Sequence, residues 1–188
     1  TTTNVSTAGA KTITMTPIGS TAANVDRYPE GEGLRMFVAS YAAMGANAPT
    51  MQATYTNSAG TAGKTTQAGI VSTASATSGI LLNSGNAANK VGPFLNLAAG
   101  DTGVKDIQTL TWGGTAHASG SVFIGLCKPL CMPIPVPATG LFNLVDFVNT
   151  LPSMPRLRNG ANVQFLVFAT GATTSGATLY TTFDYGWN

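Results

Sequence analysis

Charge is what this sequence has least of. Asp, Glu, Lys and Arg make up 9% of its 188 residues, against about 25% in ordinary soluble domains. The hydrophobic share is 44%, so the polar surface must come largely from Thr, Ser, Asn and Gly. Such a surface desolvates easily, because few charges have to leave water. That suits a chain held in permanent contacts. The basic residues are scattered as Lys11, Arg27, Arg35, Lys64, Lys90, Lys105, Lys128, Arg156 and Arg158. Phosphate binding needs clustered cations, and no basic run exists. Arg156 and Arg158 can share one strand face, but two arginines suit a solvated edge or a carboxylate partner better than a nucleic acid.

Cysteine and histidine are nearly absent too. Cys127 and Cys131 stand in CKPLC, and His117 is the only histidine. A disulfide framework has a denser pattern, and a zinc site needs two more ligands than this pair supplies. Two small buried thiols flanking a turn are expected, in keeping with assembly in a reducing compartment. The N-terminal TTTNVSTAGAKTITM lacks the charged and apolar regions of a signal peptide. A start at Thr1 is read as loss of an initiator Met or of a longer leader. No apolar run reaches the roughly 18 residues of a membrane helix, so neither a membrane nor a nucleic acid is an expected partner.

What is present is a succession of short period-2 runs between turn signals. Residues 1–10 read as an extended arm, and residues 11–188 as one domain. In AKTITMTPI, Ile13 and Met15 share one face, and Pro17 ends the strand. NVDRYPEGEG reads as a turn-rich loop. LRMFVASY (34–41) is a strongly apolar strand. TMQATYT puts Met51, Ala53 and Tyr55 on one face. TTQAGIVST resumes extended chain after an NSAGTAGK loop, and an ILL run marks one strand within 74–92. AAGDTGVKD is a loop signal and IQTLTW (107–112) a strand. SVFIGLCKPL (121–130) is nearly continuous in apolar residues, as expected when both faces are covered. The prolines of CMPIPVPATG give an extended connection. GLFNLVDFVNTL (140–151) has helical spacing, and NVQFLVFAT (162–170) and ATLYTTFDYGW (177–187) are strands. The expected fold is all-β, a single β-sandwich or jelly-roll-like domain with an extended N-terminal arm.

Catalysis needs converging titratable groups, and this chain offers few. A Cys127–His117 pair sets the thiol in an apolar strand, where a thiolate is disfavoured. The carboxylate pairs Glu30/Glu32 and Asp101/Asp106 sit in Gly-containing stretches that read as solvated turns. GTAGKTT (60–66) fails as a phosphate loop: the leading glycine of the motif would fall on Ser58, and no helix pattern follows. Trp112 and Trp187 are the candidates for stacking on a sugar. No catalytic residue, cofactor or metal is expected.

AAGDTGVKDIQTLTWGG, SVFIGLCKPL and LPSMPRLRNGANVQFLVF resemble, in style, the small cement, decoration and head-surface proteins of tailed double-stranded DNA bacteriophages. The resemblance covers residues 91–188 and carries no diagnostic motif, so no residue roles transfer with it. It implies a non-enzymatic virion protein on the capsid surface, assembled in the host cytoplasm. Such a protein is trimeric and clamps neighbouring copies of the major capsid protein. A tail, fibre or coat subunit is the alternative within that class, and a carbohydrate-binding β-sandwich the alternative outside it.

Overall fold

The computed structural model describes residues 2–4, 11–14, 28–72, 78–79, 81–84, 92–113, 119–130, 162–164 and 166. Regular structure in these residues is all strand: β1 (Thr2–Asn4), β2 (Lys11–Thr14), β3 (Arg35–Ala42), β4 (Thr50–Asn57), β5 (Lys64–Thr65), β6 (Ile70–Ser72), β7 (Asn83–Ser84), β8 (Val104–Gly113) and β9 (Ser121–Cys127). They form two antiparallel sheets. One has the order β1-β9-β3, the other β2-β8-β4-β6-β7, with β5 also paired to β4. The expected helix over 140–151, the Pro-rich connection and the strand over 177–187 lie outside the described residues. Of the expected strand over 162–170, residues 162–164 and 166 are described, and none is in a strand.

The sequence patterns explain most of these elements. In β4 the alternation is strict: Met51, Ala53 and Tyr55 are fully buried, while Gln52, Thr54 and Thr56 turn outward. In β2, Ile13 is buried between exposed Thr12 and Thr14. Strands β3 and β9 are apolar on both faces. Met36, Val38, Val122 and Ile124 join β2, β4, β6 and β8 in one core with Trp112, Ile107 and Leu110. Burying each such large side chain contributes about 1.5–3 kcal/mol relative to leaving it exposed. On the opposite face of the three-stranded sheet, Phe37, Ala39 and Leu81 form a second cluster with Phe94, Phe123, Cys127 and Leu166 against it. The near-continuous apolar character of 121–127 thus has its predicted cause.

Two segments stitch the sheets together. Leu81 bridges Ala39, the Leu82 N–H donates to Val38 O, and the chain then enters β7 beside β6. Leu95 N–H donates to Met36 O, and Asn96 next to it accepts from Gln67 N–H.

Strand β8 departs from period 2. Its buried residues are Val104, Ile107, Leu110 and Trp112. Against β4, Leu110 faces Ala53, Thr109 faces Thr54, Ile107 faces Tyr55, Asp106 faces Thr56 and Val104 faces Asn57. Gln108 and Lys105 have no opposite number, so each is the extra residue of a β-bulge. The bulges let Val104 and Ile107 stay on the core face despite a spacing of three. They also explain why the strand starts at Val104, inside the stretch that reads as loop.

Candidate interaction surfaces

The described charged residues are distributed unevenly. Glu30, Glu32 and Arg35 lie at the start of β3, Lys64 on β5, Asp101, Lys105 and Asp106 around the start of β8, and Lys128 just after β9. The registers Arg35↔Cys127, Asn57↔Val104 and Glu32↔Gly103 put these at one end of both sheets. At the other end, where β3 and β8 finish and β4 and β9 begin, Lys11 opening β2 is the one charge among the described strands. Between Arg35 and Lys64, and again between Asp106 and Lys128, the sequence has no charged residue. Among the described residues, charge thus gathers at one pole of the sheets, with Lys11 alone at the other.

At the charged pole two backbones meet closely. Gly31 O accepts from Val104 N–H, and Gly33 N–H donates to Thr102 O. A Cβ on Gly103 would lie 2.0 Å from Gly31 O, and Gly31 itself has φ +67°. Glycine is required on both sides of this contact. Beside it, Tyr55 Oη donates to Asp101 Oδ2 (2.6 Å) and Asn57 Nδ2 to Asp101 Oδ1 (2.8 Å). Tyr55 Oη also accepts from Ala98 N–H (2.8 Å), and Asn57 Oδ1 from Thr61 N–H (2.8 Å). Burial and then the Asp101 hydrogen bond push the Tyr55 hydroxyl up to about 12. The Tyr55 and Asn57 donors, with Lys64 nearby, hold Asp101 below the usual carboxylate range. Near neutral pH such a tyrosine keeps its proton and such an aspartate stays ionised. The pair is therefore a poor acid–base couple, and it fastens the 98–101 loop to β4.

The sequence candidates are placed as follows. Glu30 is exposed; Glu32 Oε2 accepts from Thr102 Oγ1 (2.8 Å). Asp101 is tied to Tyr55, whereas Asp106 sits on β8, pushed up by burial, with Oδ1 buried and without a hydrogen-bond partner among the described residues. Among those residues no group of three His, Cys, Asp or Glu gathers to hold a metal. Cys127 is a free, half-buried thiol beside the second cluster, pushed up to about 11 by burial. His117 and Cys131 are not among the described residues. Lys64 opens β5 in a strand pairing, not a helix. Trp112 is 2% exposed in the core, so its ring has no face for a sugar; Trp187 lies outside the described residues. Lys128 Nζ stands 5.3 Å from the Tyr28 ring centroid, a cation–π contact.

Two surfaces escaped the sequence reading. The outward face of the six-stranded sheet carries cross-strand rows of hydroxyls. Thr14 faces Thr109, which faces Thr54, which faces Thr65, and the Thr12 and Thr111 hydroxyls lie 3.2 Å apart. The second surface is Tyr41 near the end of β3, 66% exposed. The threonines are visible as TxT patterns in the sequence; their alignment depends on register. No family model, curated protein or solved structure matches this chain.

Proposed function

We propose that this chain is a non-enzymatic virion structural protein, a cement or decoration protein that strengthens a capsid by bridging neighbouring major capsid subunits. In this reading its two sheets form a jelly-roll-like β-sandwich, and it acts as a trimer. The observation that carries the reading is the scarcity of charge in the sequence and, among the described residues, its gathering at one pole. The described sheet face with its threonine rows leaves water at little cost and suits large permanent contacts. Symmetry then repeats each contact over the whole shell.

The N-terminal arm belongs to the clamp. Thr2–Asn4 pair with Phe123–Ser121 of the same chain, a three-residue pairing. Short pairings of this kind add little stability alone. Deletion of residues 1–10 is expected to leave the β domain folded and to lower the fraction of protein that pellets with shells lacking it. Equal pelleting, and equal protection of the shells against heat, by truncated and full-length protein would remove the arm from the clamp. Particles from which the gene has been disrupted should release DNA at a lower temperature, and purified protein should restore the loss.

A further inference from the structure

The two N-terminal strands each take an edge, one in each sheet. β1 pairs with β9 through Thr2–Asn4, and β2 with β8 through Lys11–Thr14. Among the described residues neither has a second neighbour in its sheet. The opposite side of the three-stranded sheet is closed differently. There Gly79 N–H donates to Ser40 O, Leu82 N–H to Val38 O and Leu95 N–H to Met36 O. The other two edges, on β8 and β9, are thus covered by one N-terminal segment.

The seat of that segment is specific. Ile13 enters the main core opposite Leu110, between exposed Thr12 and Thr14. The Thr12 and Thr111 hydroxyls lie 3.2 Å apart. Without the segment, Ser121–Phe123 and Thr109–Trp112 lose their ladder partners on that side, and the place of Ile13 opens beside Leu110. Strand edges uncovered in this way are templates for another strand.

We propose that the N-terminal segments are exchanged between copies of this chain: Thr2–Asn4 and Lys11–Thr14 of one copy fill the edges of β9 and β8 in the next. A second copy is the source because the seat matches this sequence. Its segment restores the Ile13 and Thr12 contacts in register, so exchange conserves them, whereas an unrelated strand restores only the backbone pairing. The grip is short on each sheet, three residues on β9 and four on β8, and short pairings are marginal alone. In an oligomer the neighbour's seat is offered at high effective concentration. The first ten residues carry no charged side chain, so the segment crosses between copies without taking a charge out of water. One crossing segment then ties both sheets of the recipient. The inference rests on the homo-oligomer part of the proposed function and is independent of shell binding.

Cysteine cross-linking of the full-length chain tests it. Residues directly opposite on antiparallel strands lie within disulfide reach, as Thr12 and Thr111 do. Thr12→Cys and Thr111→Cys are placed in separate chains, co-expressed and oxidised with diamide. A disulfide at this site then forms only when the segment of one chain lies on the sheet of the other. Non-reducing electrophoresis should show a covalent dimer, with the Thr12 and Thr111 peptides joined by mass. The double variant Thr12→Cys/Thr111→Cys should run as a covalently linked oligomer. A double variant that oxidises fully yet runs as a single chain overturns the proposal, because each segment then sits on its own sheet. So does the absence of a cross-link in either experiment, which leaves the Thr12–Thr111 pairing itself unmade. Exchanged segments in a protein that binds no shell uphold the proposal and sink the cement reading. A shell-binding protein with every segment on its own sheet does the reverse.

Discussion

Gly125 lies opposite Phe37 across β3 and β9, and a Cβ there would stand 2.6 Å from the ring's Cζ. The ring lies over the glycine and meets Phe123 edge-on at 5.9 Å. Gly125→Ala is expected to destabilise the fold by about 1–3 kcal/mol, as overpacking does. Combined with Phe37→Leu it should cost less than the two single changes summed, in urea unfolding. The two aspartates of the charged pole act with opposite sign. Asp101 is held low by Tyr55 and Asn57, so its contribution is present above the unfolded pKa of about 3.9 and is lost as pH falls through its lowered value. Asp106 is pushed up by burial, so it subtracts stability once pH rises through its raised value. Asp101→Asn should therefore lower the melting temperature at neutral pH, and Asp106→Asn should raise it. Both differences should shrink in acid, that of Asp106→Asn at the higher pH. Melting curves across the acid range check both signs.

At the scale of elements, legibility followed periodicity. The alternation of Met51, Ala53 and Tyr55 is local, so β4 is readable from its own residues. The unbroken apolar run of β9 announces two covered faces, and both are covered. Strand β8 is different: a bulge is defined by the partner's register, and nothing local to Gln108 or Lys105 marks it. The same holds for Tyr41, which alternation groups with Phe37 and Ala39 until the pairing with β9 slips. Asp101 looks like a free loop carboxylate because Tyr55, which holds it, is 46 positions away. The bulge makes a sharp prediction. Gln108 is the surplus residue, so deleting it should leave Ile107 opposite Tyr55 and the protein folded. Deleting Thr111 instead sets Leu110 beside Trp112 in the chain, and one of them must face solvent. That variant should be insoluble or lose its native circular dichroism.

At the scale of the whole molecule, the account rests on where water can be removed. Among the described residues the charged pole holds Glu30, Glu32, Arg35, Lys64, Asp101, Lys105, Asp106 and Lys128, several of them committed to contacts within the chain. In the proposed function, the hydroxyl rows over β2, β8, β4 and β5 offer uncharged ground for neighbours. The scarcity of charge was plain in the sequence, but the gathering of the described charges at one pole was not, because it arises from which strand ends meet. The measurement that tests the central claim most directly is saturation binding of the purified protein to shells purified without it, read by co-sedimentation. The account predicts binding that saturates at a fixed number of copies per major capsid subunit, with a rise in the temperature at which the shells open. Absence of binding at any concentration, with the protein folded, would contradict it.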